Sequence, residues 1–359
     1  MFDQEYVYPG TGVTCRRHAL DQYDIDLIEG DKTAFFTFFA ADIDSRKRLP
    51  WGASFLRAQG HTIIGIKGQG QDWFRGAELH RFLRSEEFRG FLAGFDQVVF
   101  YGASKGGYGA LAFSDLVDNP IVISISPQST LDPRLVPWER RFRVGQDQDW
   151  DGDFRDSVDS LKPGGDYNVF LDPYDEGDRK HLERLENVPN VNINVFKLPF
   201  GKHDVPGAMV KSGMLKDVVL GCRDRALTPQ KFAKLARARK TQLWYLTSVA
   251  QSVRAGLRGR AAALHAAELI DPMHSSVRLA RGYLWRDQGH LQASLDVLQC
   301  LSKDLTGAAL RRCQTSIAAI QKKIEASSKE VDIVGEDVQG AEVGQGDDVT
   351  TAKVKDNGA

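Results

Sequence analysis

The stretch VVFYGASKGGYGALAF (98–113) decides how this chain reads. It begins as a β-branched and aromatic run, turns through glycines, and reopens as a small-residue helix. Glycines in that place either cradle a nucleotide phosphate at a helix N-terminus or force a serine into a sharp corner between strand and helix. The spacing has to choose between them.

A dinucleotide fingerprint of the G-x-x-x-G-x-G kind starts at Gly102 and Gly106 but needs a third glycine where Tyr108 stands. Its Tyr-x-x-x-Lys pair belongs well downstream, yet here Tyr101 and Lys105 lie inside the motif. A P-loop, G-x-x-x-x-G-K-[ST], is absent. A nucleotide-dependent oxidoreductase is therefore the weakest of three readings. Gly102, Ser104 and Gly106 instead form G-x-S-x-G, in which small residues two before and two after the serine let a strained turn pack closely on its neighbours. Gly107 and Gly109 extend the small face onto the following helix.

The surroundings suit that corner. Runs at 33–40, 61–68, 97–102, 121–126, 167–172 and 191–199 are near-continuously apolar and alternate with helical stretches such as 77–92. This predicts a mostly parallel sheet with helices on both faces, an α/β fold, preceded by an antiparallel lead-in at 13–30. With 359 residues the chain is long enough for one such core and a second, smaller unit. A formal charge of −1 leaves no basic field for nucleic acid. No run of about 18 apolar residues predicts a membrane span. The acidic start has no secretory signal, and the four dispersed cysteines suggest neither zinc nor disulfides. The expectation is a cytoplasmic protein with no metal and no cofactor.

A serine hydroxyl is a poor nucleophile unless a histidine base, oriented by a carboxylate, activates it. DPYDEGD (172–178) follows one expected strand, and LPFGKHD (198–204) follows the last. They place Asp175 and then His203 after Ser104, with Asp178 as the alternate acid or as the N-cap of the next helix. Asp172 is read as capping the turn at Pro173, and His181 as exposed on the helix face.

On GASKGG, DPYDEGD and LPFGKHD the region from residue 33 to 222 resembles the α/β-hydrolase superfamily. The resemblance implies that Ser104 attacks an acyl carbonyl, His203 relays the proton and the Asp175 loop fixes the imidazole. It also implies an oxyanion hole from the backbone N–H of Lys105 and a second donor near Ala40 or Ala41, although the HGGG loop of many lipases is missing. Substrates would be acyl esters or thioesters of small molecules, glycans or lipids, and either water or another acceptor would take the acyl group.

Residues 127–165 hold no clear strand but carry Trp138, Phe142, Trp150 and Phe154, as an inserted cap does. Arg141, the neighbouring arginines and the Lys105 side chain are candidates to meet an anionic substrate, against the plainer reading of a solvated charged surface. Trp73 is placed at the pocket rim or in the core.

Past residue 224 the β-branched runs give way to Ala, Leu, Arg and Gln at helical spacing. Ala267, Pro272, Gly282, Trp285, Gly289, Ser294 and Leu298 resemble the spacing of a tetratricopeptide (TPR) repeat, with Ser294 where Ala is expected and Arg260 where a small residue is expected. A TPR-like helical domain is thus expected over 225–326, with a possible protein partner, and a disordered acidic tail over 327–359. The alternative to an enzyme is a catalytically silent α/β-hydrolase-like scaffold whose TPR-like module binds that partner.

Overall fold

A computed structural model of the chain describes residues 1–40, 45–68 and 70–339. The chain divides into two compact units, Met1–Ser248 and a second beginning at Val249.

The first unit is built on a nine-stranded sheet in the order β1-β2-β3-β5-β4-β6-β7-β8-β9. Strands β1 (Gln4–Val7), β2 (Thr14–Ala19) and β3 (Tyr23–Ile28) form the antiparallel lead-in, and β3 pairs antiparallel with β5 (Thr62–Gly68). From β5 onward, through β4 (Thr33–Phe38), β6 (Gln97–Ala103), β7 (Ile121–Ile125), β8 (Asp166–Leu171) and β9 (Ile193–Lys197), every pairing is parallel. The two-residue period of each strand divides its side chains between two cores. In β4 and β6, Phe36, Phe38, Val98 and Phe100 enter one core, and Phe35, Val99 and Tyr101 enter the other. Helices α1 (Ala53–Ala58), α2 (Ala77–Arg84), α3 (Glu86–Leu92), α4 (Lys105–Ala112), α5 (Arg143–Gln146), α6 (Glu176–Glu186), α7 (Val205–Lys211), α8 (Leu215–Arg223) and α9 (Pro229–Leu235) complete the layers. This is an α/β architecture on a mostly parallel sheet, and the loops after the parallel strands all open at the carboxyl ends of those strands.

The insertion at 127–165 forms no strand and packs on the sheet's side. Trp150 and Phe154 belong to the first core, and the Tyr108 hydroxyl donates to the Phe154 carbonyl. Arg75 fastens the segment, donating from Nε, Nη1 and Nη2 to the carbonyls of Asp149, Asp153 and Asp151 at 2.8–2.9 Å.

The first unit reaches further than the expected boundary at 224, because the helical segment after it is not all one texture. Phe232 of α9 is 3% exposed and packs on Phe170 and Phe196 at ring distances of 5.6 and 5.3 Å. That aromatic anchor holds α9 and the 3-10 turn Ala236–Thr241 on the sheet. Helix α10 (Leu243–Gln251) carries the chain onward.

The second unit is all helical: α11 (Gly256–Ile270), α12 (Ser275–Asp287), α13 (Leu291–Ser302) and α14 (Gly307–Gln339). Helices α12 and α13 run antiparallel, and a Cβ on Gly282 would fall 2.7 Å from Leu298. Ser294 donates its hydroxyl to the Gly282 carbonyl at 2.7 Å, so its oxygen is satisfied in a place where Ala would be mute. Arg260 is buried and bonds the Ala250 carbonyl at 2.9 Å and Asp287 at 2.7 Å. Helix α14 continues past 326 into the stretch read as disordered, since 327–339 contains no proline and a single glycine; residues 340–359 lie outside the described residues. Among the described residues no helix is long and apolar enough to cross a membrane.

Candidate active site

Ser104 stands at the corner between β6 and α4 with φ +53° and ψ −119°, a conformation that non-glycine residues avoid. Two glycines make the corner possible. A Cβ on Gly102 would lie 2.2 Å from the Gly106 carbonyl oxygen, and one on Gly106 would lie 2.4 Å from that of Phe38 in β4. The Ser104 backbone is pinned by its N–H donating to the Ile125 carbonyl of β7 at 2.8 Å. The turn is thus clamped between both neighbouring strands, and its side chain projects at the open edge of the sheet.

His203 arrives on the loop after β9, where Phe200 and Lys202 both have positive φ. Asp172 at the end of β8 accepts from the Lys202 N–H at 2.7 Å and the Tyr174 N–H at 2.9 Å. It does cap the turn at Pro173, and it also ties that loop to the histidine loop. Beyond the histidine, Asp204 caps α7 by accepting from the Gly207 N–H at 3.1 Å. His203 Nε2 lies 3.0 Å from Ser104 Oγ.

The carboxylate at His203 is Asp178, not Asp175. Both Asp178 oxygens lie 2.9 Å from His203 Nδ1, whereas Asp175 caps α6 by accepting from the Asp178 N–H at 3.0 Å. A cap residue must turn its carboxylate back along the helix axis, and the residue one turn later is free to face outward. Asp178 is 1% exposed. Burial pushes its carboxyl pKa up, but the bond and charge of His203 and then Arg141 outweigh this and hold it below the usual carboxylate range.

Behind Asp178 lies a buried polar network that sequence reasoning did not find. Arg141 Nη1 donates to Asp178 at 2.9 Å and to Asp175 at 3.0 Å, while its Nη2 donates to Glu139 at 2.7 Å. Three carboxylates thus occupy Arg141, which is not free to greet an anion. His181 was expected on an exposed face; it is fully buried. Its Nδ1 accepts from the Ser129 N–H at 3.1 Å, which leaves Nε2 to carry the proton toward Glu139 at 3.2 Å. The signal was present as Asp178, His181, Leu182 and Leu185, the buried stripe of α6 at i, i+3, i+4, i+7.

The Lys105 side chain is likewise engaged, donating to Asp72 at 2.7 Å and the Gly70 carbonyl at 2.9 Å. Its backbone N–H begins α4, where no carbonyl of the same helix can reach it. Ala40 borders the site, and Ala41 lies outside the described residues. Trp73 is wholly buried against Phe142 and Gly145, so it supports the insertion from beneath and does not reach the rim.

A cavity of about 790 Å³ opens over Ser104 and His203, with Ala40, Trp51, Phe142 and Val210 in its walls. The Phe142 ring lies 5.7 Å from the imidazole. Chemically, the line of groups can move a proton from a hydroxyl to an imidazole while a buried carboxylate balances the charge that forms.

No protein-family model matches the chain. No curated protein matches it in sequence. Among solved structures it is similar to the capsule O-acetyltransferase of Neisseria meningitidis serogroup A, at 18% identity and a TM-score of 0.44 over 58% of this chain and 95% of that one. It is also similar to an acetyl xylan esterase from Paenibacillus sp. R4, at 12% identity and a TM-score of 0.42 over 60% of this chain and 86% of the other. A third likeness is to S-formylglutathione hydrolase from Staphylococcus aureus, at 14% identity and a TM-score of 0.39 over 61% and 96% of the two chains.

Proposed function

We propose that the chain is a serine-dependent acyl-ester hydrolase or acyltransferase. Ser104 is the nucleophile, His203 the general base and then acid, and Asp178 the group that orients the imidazole. The reading rests on one observation above the others: the unbroken line from Ser104 Oγ to His203 Nε2 at 3.0 Å and from His203 Nδ1 to Asp178 at 2.9 Å, on a strained elbow.

In the first step Ser104 Oγ bonds the acyl carbon as its proton passes to His203 Nε2. The tetrahedral oxyanion meets the Lys105 N–H, the position following the nucleophile at a helix start. Collapse expels the alcohol or thiol, which takes the proton from His203. Water or an acceptor hydroxyl then repeats the sequence in reverse and frees the serine.

The substrate's acyl side is read as uncharged. Trp51, Phe142 and Val210 give the cavity an apolar wall, and its two cations, Arg141 and Lys211, are already paired with carboxylates. The test uses p-nitrophenyl acetate and butyrate with and without an added polyol acceptor. The account expects a burst of p-nitrophenol equal to the enzyme concentration, absent in Ser104→Ala. Acceleration by the acceptor assigns transfer, and indifference to it assigns hydrolysis. Turnover undiminished in Ser104→Ala contradicts the proposal.

A further inference from the structure

A second cavity, of about 530 Å³, lies at the free edge of the sheet between β9, α9 and the turn Ala236–Thr241. Four of its lining residues are cationic, Lys197, Arg237, Arg239 and Lys240, and none is acidic. The whole chain has a formal charge of −1, so this concentration is local and does not reflect a generally basic protein.

The four differ in kind. Lys197, Arg237 and Lys240 are exposed at the mouth, and none is held in an ion pair among the described residues. Arg239 forms the floor and is 9% exposed. Its Nη1 donates to the Ala236 carbonyl, its guanidinium lies 5.0 Å from the Tyr245 ring, and its Nε has no partner. Among the described residues no carboxylate pairs with it. Burial pulls its pKa down, and Tyr245 and then the more distant charge of Asp172 offset this only in part.

A buried guanidinium without a counter-charge is destabilising by several kcal/mol, and proteins usually relieve it with a carboxylate. Here none of the described residues supplies one, and three more cations gather at the opening. Phe196 and Phe232 line the same space, which lowers the local permittivity and strengthens any charge interaction inside it. A carboxylate ligand carries one charge and leaves most of this field unbalanced. A phosphate monoester or diphosphate carries two or three, and guanidinium groups bind its oxygens in forked pairs. The volume is within the range of small-molecule sites.

We propose that this cavity is a binding site for a phosphate-bearing ligand, with Arg239 as its buried anchor and Lys197, Arg237 and Lys240 as its rim. The site involves no residue of the Ser104 arrangement and stands or falls independently of it.

The test is calorimetric titration of the full chain with sodium pyrophosphate at low and moderate salt. The account expects saturable one-site binding that weakens with salt. It expects a loss of about ten-fold or more in Arg239→Gln, the scale of one charge-assisted hydrogen bond. Lys197→Ala/Lys240→Ala changes only exposed residues, keeps its fold by circular dichroism, and should weaken binding too. Absence of saturable binding to the wild type overturns the proposal. So does unchanged affinity in the double variant. Sedimentation with phosphatidic acid vesicles, whose headgroup is a phosphate monoester, separates the two sources of phosphate. Pyrophosphate-displaceable co-sedimentation assigns a lipid headgroup, and no co-sedimentation of a chain that binds pyrophosphate assigns a soluble ligand.

Discussion

Replacing Asp178 and Asp175 one at a time by asparagine separates two roles that the sequence leaves entangled. In Asp178→Asn the shape is kept, but the amide donates to His203 Nδ1, forces the proton onto Nε2, and leaves that nitrogen unable to accept from Ser104. The lost charge matters as well. Asp178 lies 2.9 Å from the imidazole, and unit charges about 3 Å apart at an effective permittivity near 20 attract by about 5 kcal/mol. Arg141, bonded to the same Asp178 oxygen at 2.9 Å, takes back part of that attraction. The remainder and the wrong tautomer together predict a fall in kcat/KM for p-nitrophenyl acetate of about 10⁴, the size of the loss for the same exchange in a Ser-His-Asp site. Asp175→Asn keeps a residue that caps well and removes only a partly exposed ion pair to Arg141, so it should stay within about three-fold of wild type. Activity in Asp178→Asn within ten-fold of wild type, or an equal loss in Asp175→Asn, would refute this reasoning.

Ser104→Gly should abolish turnover yet stabilise the first unit by about 1 kcal/mol, because glycine tolerates the φ of +53°; a thermal unfolding midpoint raised by about 2–4 °C checks it. Gly102→Ala should yield little folded protein, since its Cβ would sit 2.2 Å from the Gly106 carbonyl oxygen, and soluble expression beside wild type is the measurement. Burial holds the imidazole of His80 down at about 4 against an ordinary 6.5. The unfolded chain therefore binds a proton that the folded one refuses, and stability falls as pH drops from about 6.5 to about 4, by up to roughly 3 kcal/mol. His80→Gln should flatten that slope in urea unfolding followed at pH 7 and pH 5. Arg141→Leu leaves Glu139 and Asp178 buried without their cation, and should lower the urea midpoint by an amount equivalent to about 3–5 kcal/mol.

The sheet was legible because buried parallel strands must be apolar on both faces, and the runs beginning near Thr33, Thr62, Gln97 and Ile121 are so in the sequence. The elbow was legible because its glycines answer to steric need. The acid was only half legible: an N-cap and an imidazole partner are both carboxylates, and Asp175 and Asp178 are a single helical turn apart. Glu139 was missed, and Arg141 and His181 were given other roles, because Glu139 and His181 meet across 42 residues of chain, and among the insertion's many charges nothing local distinguishes a buried ion from a solvated one. The first compact unit runs on to Ser248, past the boundary read at 224, for a similar reason. Phe232 looks like any apolar residue of a helical bundle until Phe170 and Phe196 are found beside it.

The central claim is that Ser104 is an activated nucleophile, and a fluorophosphonate asks this without knowledge of the substrate. The protein would be treated with the reagent, digested, and mapped by mass spectrometry, with His203→Ala and Asp178→Asn alongside. The account predicts one adduct, on the peptide containing Ser104, formed far more slowly in both variants. An unmodified wild type, an adduct on another residue, or labelling indifferent to His203 would contradict it.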